Sequence, residues 1–221
     1  DRELIGKAIY HGRASLLHGV LPAGVPGHDA ELPLPAHDPE AARALLREAG
    51  VAPGTPVIFT VVGDGSGASP LALAISSQLE AVGLKVVIER ISTAARTKIM
   101  KGDFDITTQS INLDFPDPSI VFNFVYNSAM IGGANFPRYR NASVDKLIGQ
   151  ADRTLDREAR AALYQQAQRI VLDEMPTIVL FQLDWQRAIG TDIQGVNYNF
   201  SQPTFYNFES MRRVGARGTA R

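Results

Sequence analysis

The apolar positions of this chain fall into short blocks that switch between helical and extended spacing. Leu4, Ile5, Ala8 and Ile9 share one face and predict a helix from about Arg2 to Tyr10. A stretch from Gly19 to Pro35, broken by Pro22, Pro26, Pro33 and Pro35, predicts an irregular, surface-hugging loop. Asp38 as N-cap and Pro39 at the first helical position open a second helix that Gly50 stops. Its expected buried stripe is Ala41, Ala42, Leu45, Leu46 and Ala49. Val57 to Val62 reads as a buried strand, Gly63 to Gly67 as a turn, and Pro70 to Val82 as a helix with Leu71, Ile75, Leu79 and Val82 in phase. Lys85 to Ile91 is a second strand, Ala94 to Met100 a short helix, and Phe104 to Ser110 a third strand. Strands alternating with helices require crossovers, so the middle of the chain is predicted to be an α/β unit with a mixed or parallel sheet.

Beyond it, Asn112 to Pro118 is punctuated by proline, and Asp117 with Pro118 forms another cap-plus-proline pair opening a short helix through Phe122 and Phe124. Amphipathic helices follow over Ser143 to Thr154 and Arg157 to Asp173. Thr177 to Gln182 is predicted to be a strand, with a second extended segment near Trp185 to Ile189. Asn197 to Phe208 is rich in Asn, Tyr and Phe and shows no helical period. No internal repeat is visible.

Composition narrows the function. The 221 residues carry 45% hydrophobic and 20% charged positions, the balance of a globular protein with a sizeable core. Cysteine is absent, which removes thiol chemistry, disulfides and Cys-ligated metals. A net charge of −1 argues against nucleic acid as partner, since phosphate binding asks for a basic face. Arg212, Arg213, Arg217 and Arg221 lie in a Gly- and Ala-rich terminus and read as a solvated, frayed end. No apolar run approaches the roughly 18 residues of a membrane span. The chain opens at Asp1 without an initiator Met, so it reads as a piece of a longer protein.

Candidate chemistry is sparse. His11, His18, His28 and His37 form no i, i+4 pair and read as scattered surface residues, so no metal is expected. Gly63, Gly65 and Gly67 join a strand to a helix, where a phosphate loop would lie, but Pro70 stands at the third glycine position. Turn geometry is the preferred reading, with a nucleotide-dependent enzyme as the alternative. No G-x-S-x-G elbow is present. Among paired carboxylates, Asp103 and Asp105 flank a turn and a strand start, and Asp117 is a cap. Asp114 follows a strand in a loop at the expected mouth of the sheet, where it could pair with a ligand ammonium. Residue types alone leave it open between a binding role and a solvated loop.

A set of motifs in fixed order adds to this reading. His37-Asp38-Pro39-Glu40-Ala41-Ala42-Arg43-Ala44-Leu45-Leu46-Arg47-Glu48-Ala49-Gly50 resembles the D-P-x-K-A-x-x-L-L-x-x-A-G helix of family 5 extracellular solute-binding proteins, the dipeptide, oligopeptide and nickel binders. Gln78 to Val86 resembles their Q-L-x-x-x-G-I-x-V element, Gly102 to Ile106 their G-x-Y-D-M, and Asp114 to Pro118 their D-Y-P-D-P. Asn135, Tyr139, Asn141 and Val144 to Ile148 match N-x-x-x-Y-x-N-P-x-V-D-x-L-I. Asp156 to Arg160, Leu163-Tyr164 and Glu174-Met175-Pro176 match D-x-x-x-R-x-x-L-Y…D-x-P. Each motif is weak alone; their shared order up to about Gly195 is specific.

The resemblance implies an α/β, periplasmic-binding-protein-like lobe with a mixed sheet flanked by helices. Residues 1–221 would form the single C-terminal lobe, with 1–36 an irregular lead-in, 37–195 the α/β core and 196–221 an extended tail. The N-terminal lobe would lie outside this sequence. The implied function is non-enzymatic and needs no cofactor: capture of short peptides or similar amine-bearing solutes between two lobes, for an ABC permease, in the periplasm or another extracytoplasmic space. A sensory receptor domain of the same fold is a second alternative. Asp114 would clamp the ligand α-ammonium, and backbone groups of Ser110, Ile111 and Asn112 would pair with the ligand main chain. Many relatives carry a Trp shortly before this Asp; the stretch Ser110-Ile111-Asn112-Leu113 here has none. Nor does Phe104 to Ser110 hold an Arg for a ligand carboxylate.

Overall fold

A computed structural model describes residues 1–33, 35–63, 69–184, 186, 188–197 and 208–214. The chain opens with α1 (Arg2–Tyr10), whose cap is the Asp1 carboxylate accepting from the Leu4 N–H. Strand β1 (Ala14–Leu16) follows, and helix α2 (Pro39–Glu48) is capped by Asp38 as its sequence demands. The stripe expected to bury α2 does not: Ala41, Leu45 and Ala49 are exposed, Leu45 to 64%, and only Ala42 and Leu46 are half covered. Amphipathic spacing reports a preferred face; it does not supply the surface that covers it.

The α/β unit is built as the alternation predicts. Strands β2 (Pro56–Val62), β3 (Lys85–Ile91) and β4 (Ile106–Thr107) form a parallel sheet in the order β3-β2-β4. Helix α3 (Pro70–Ala81) makes the first crossover. A 3₁₀ turn, Thr93–Arg96, and the one-turn α4 (Thr97–Met100) make the second. Phe59, Val61 and Ala72 form a small core here, with Ile75, Val86, Ile88 and Ile106 packed on it. On the other sheet face the fully buried Thr60 hydroxyl donates to Glu89, which also pairs with Lys98. The third strand is much shorter than Phe104 to Ser110. Asp105 uses its side chain to accept the Ile58 N–H at 2.7 Å, and β2 pairs with β4 only at Phe59–Ile106 and Thr60–Thr107 before the edge peels away.

The remainder is mainly helical. Helix α5 (Pro118–Val121) widens into a π-turn over Phe122–Tyr126, closed by the Asn127 N–H on the Phe122 carbonyl at 2.9 Å. Helices α6 (Ala142–Ala151) and α7 (Arg157–Glu174) then pack together. Val121, Phe122, Tyr126, Val144, Ile148, Tyr164 and Val171 form the large core. The proline-rich lead-in is irregular, yet it does not merely hug the surface. Val20, Leu21 and Val25 are buried in this same core. Their entry is secured by Gln168, whose Oε1 accepts the N–H groups of Val20 (2.9 Å) and Leu21 (3.2 Å). Gly19 beside them has φ +83°, and a Cβ there would meet that oxygen at 2.5 Å.

Strand β5 (Phe181–Leu183), a few residues later than expected, pairs antiparallel with β1. Gln186, Ala188 and Ile189 lie in no strand, while Trp185 and Arg187 fall outside the described residues. Arg212 and Arg213 are not frayed: they form β7 (Arg212–Arg213) against β6 (Ile193–Gln194), and Arg213 pairs with Asp192 at 2.8 Å. Arg217, Arg221 and most of the Asn197 to Phe208 stretch lie outside the described residues. Parallel and antiparallel pairing thus coexist, in separate sheets. Among the described residues no helix is long and apolar enough to cross a membrane.

Candidate ligand-binding site

The carboxyl ends of parallel strands are where open α/β sheets gather ligands. Here β2 ends at Val62, the following Gly63 N–H closes onto the Ile91 carbonyl, and Asp64 to Gly67 of the candidate phosphate turn lie outside the described residues. Strand β4 ends at Thr107 and releases the segment that carries every predicted site residue. Ser110, Ile111 and Asn112 are exposed, Ile111 to 49%. Among the described residues their backbone N–H and C=O groups have no backbone partner. Leu113 turns inward and packs on the large core, which anchors the segment. Asp114 and Phe115 point outward again and are exposed. The Asp114 carboxylate has no hydrogen bond or ion pair among the described residues, so it is available to an incoming cation.

Asp117 is occupied. Its Oδ1 accepts the Ser119 N–H at 2.8 Å and caps α5, while Arg160 of α7 grips both oxygens at 2.6 and 2.9 Å. Burial works to raise this carboxyl, but the Arg160 fork and the Ser119 bonds outweigh it and hold it at about 2. Arg160 also donates from Nε to the Ala151 carbonyl at the end of α6 and lies over the Tyr164 ring, 5.2 Å from its centroid. The Tyr164 hydroxyl donates to Asp152 at 3.0 Å, and burial with that carboxylate drives its pKa upward. Arg160 was visible in the D-x-x-x-R motif without a role; only the tertiary fold brings it to Asp117. Arg96 is a second such residue. It reaches from the turn after β3 to Gln109 Oε1 at 3.3 Å, placing a cation beside a segment whose own sequence has none before Asp114.

The other candidates separate from this place. Asp103 lies 3.9 Å from Lys98, and Asp105 serves β2. His18 and His28 meet the backbone carbonyls of Leu32 and Leu21, and His37 lies 4.0 Å from Asp1. No cluster of three or more His, Asp or Glu suited to a metal occurs among the described residues. A separate groove of about 460 Å³ lies between the lead-in and the end of α7, lined by Leu17, Leu32, Leu172 and Val179 among others. It shares no residue with the Asp114 segment.

Fold and site together define a lobe of the periplasmic-binding-protein type, with an open strand-end segment carrying one unpartnered carboxylate. Residues 1–133 match the family described as bacterial extracellular solute-binding proteins, family 5 Middle, and this chain belongs to that family. It is 32% identical over 215 residues to the probable D,D-dipeptide-binding periplasmic protein DdpA of Escherichia coli, covering 96% of this chain and 42% of that protein. It is 34% identical to di/tripeptide-binding protein 2 of Pseudomonas aeruginosa, over 79% of this chain and 34% of that protein. The fold matches the ABC transporter-associated periplasmic binding protein DppA of Helicobacter pylori, solved with the peptide STSA, at a TM-score of 0.81 and 21% identity. That match covers 96% of this chain and 42% of the other. The chain therefore spans well under half the length of these relatives.

Proposed function

We propose that this chain is the C-terminal lobe of a two-lobed, extracytoplasmic binding protein that captures short peptides or similar amine-bearing solutes for an ABC importer. One observation carries the reading. At the carboxyl edge of the parallel sheet, an exposed segment outside any helix or strand combines backbone groups of Ser110, Ile111 and Asn112 that have no backbone partner among the described residues with the Asp114 carboxylate, which has none there either. Free N–H and C=O groups along an extended segment can pair with an extended peptide main chain, as an added strand pairs with a sheet edge. A carboxylate at the end of that row would receive the α-ammonium. A second lobe would close over both by hinge motion and remove them from water, which strengthens the ammonium–carboxylate pair.

The other described carboxylates near the sheet are engaged: Glu89 and Asp103 by Lys98, Asp105 by the Ile58 N–H, and Asp117 by Arg160. The names of the two relatives, a probable D,D-dipeptide-binding protein and a di/tripeptide-binding protein, support small peptides as the class. The test uses the full-length protein purified under native conditions and then denatured, with released small molecules identified by mass spectrometry. Peptides or other amines should come off the parent and be missing from Asp114→Ala. Leaving an enclosed ammonium unpaired costs roughly 3–5 kcal/mol, so affinity should fall by about a hundredfold or more. Near-normal affinity in the variant, or a released ligand lacking a cationic amine, would overturn the anchor assignment.

A further inference from the structure

We propose that Arg160 is a positioning residue for the ligand anchor: its two-pronged grip on Asp117 fixes the turn from Leu113 to Pro118 so that the Asp114 carboxylate is presented ready-made. The inference rests on the reading of Asp114 as the ammonium receptor and adds the part that holds it in place.

The turn has few ways to move. Pro116 and Pro118 lock their own φ angles and push the residues before them, Phe115 and Asp117, toward extended backbone. Asp117 is accordingly extended at φ −135°, ψ 135°, and its N–H donates to the Phe115 carbonyl at 2.8 Å. From the other side Leu113 is seated on the large core. Asp114 is thus strung between two fixed points, with Leu113 ψ, its own φ and ψ, and the proline-restricted torsions of Phe115 as the links between Leu113 and a rigid Pro-Asp-Pro block. The second fixed point is no better fixed than Asp117 itself.

Asp117 is held by Arg160 alone among charged side chains in the described contacts, through parallel bonds of 2.6 and 2.9 Å. Both partners are about three-quarters covered, with side-chain exposures of 23% and 26%, so the pair is not a loose surface contact. Arg160 is itself fixed by the Ala151 carbonyl at 3.2 Å and by the Tyr164 ring. One guanidinium therefore references the ligand-facing turn to the ends of two core helices. A planar fork does this in two bonds; a lysine ammonium offers no equivalent geometry.

A purely structural Arg160 would alter stability and leave ligand discrimination alone, so the test reads discrimination. In the full-length protein, isothermal titration compares the best-bound member of a panel of unmodified dipeptides with its N-acetyl form, well below the melting temperature of each variant. Wild type should prefer the free amine strongly, and Asp114→Asn should erase that preference. Arg160→Met should lower the preference by about tenfold or more, toward the level of Asp114→Asn, with Arg160→Lys in between. If Arg160→Met does not fold, Arg160→Lys and Asp117→Asn carry the same comparison. An unchanged preference in folded Arg160 variants, whatever their melting temperature, overturns the inference while leaving the anchor reading intact. A preference that survives Asp114→Asn removes the anchor reading, and this inference with it.

Discussion

Asp117 sits where a charged side chain gains most from its neighbours. Its folded pKa, about 2, lies below the ordinary carboxylate value of 3.8, so the ionised form is favoured by folding. The resulting stabilisation is fully present above the unfolded pKa and is lost as pH falls toward 2. Asp117→Asn removes this titration. At neutral pH the variant should be less stable than the parent, and between about pH 4 and 2 the gap should shrink as the parent's own carboxylate is protonated. Urea titrations of both proteins at stepped pH check this; a gap that stays constant across the window would mean that the fork contributes nothing that depends on ionisation. Asn135 works by the same logic of satisfied groups without charge. Buried to 1% exposure, it bonds the Asn127 and Tyr139 carbonyls through Nδ2 and the Tyr139 N–H through Oδ1, which closes the loop leading to α6.

At the scale of elements, local signals are legible in the sequence and coverage is not. Capping pairs such as Asp38-Pro39 and Asp117-Pro118 placed helix starts correctly because a cap is a contact among neighbours in sequence. The sheet of β2 and β3 followed from two apolar runs with a helix between them. What neighbours cannot report is who lies opposite. The short β4, the exposed α2 and the pairing of β1 with β5 all depend on distant partners, as does Arg160. The candidate segment lies after a strand end, as its position in the sequence implies; its two anchoring contacts, Leu113 on the large core and Asp117 on Arg160, are not legible there. The contrast between stripe and cover gives a direct test. Leu45→Ala on α2 should change stability by less than about 1 kcal/mol, whereas Ile148→Ala on α6, at 1% exposure, should cost about 2–4 kcal/mol. Equal costs in denaturant melts would show that α2 is buried after all.

At the scale of the whole molecule, the described residues form two separate cores. The small one belongs to β2, β3 and α3; the large one joins the lead-in to α5, α6 and α7. Among the described residues few polar contacts tie them: Arg138 donates to the Lys101 carbonyl at 3.1 Å, and Gln78 meets both the amino group and the carbonyl of Asp1. Protection against hydrogen exchange should therefore come in two levels, with amides of α6 and α7 slower than those of β2 and β3. A single protection level across both would argue for one cooperative unit.

The layout of these cores also sets an order of events. The stretch that builds the small core is continuous, whereas Val20 must wait for Gln168, 148 residues later, before its N–H finds an acceptor. On the ribosome the β2-α3-β3 unit can assemble as soon as it emerges, while the lead-in, already synthesised, stays open with Val20, Leu21 and Val25 unburied. Closing so long a loop is slow compared with local folding. Until α7 arrives to enclose them, Val20, Leu21 and Val25 are left exposed on the nascent chain and open to chaperone binding.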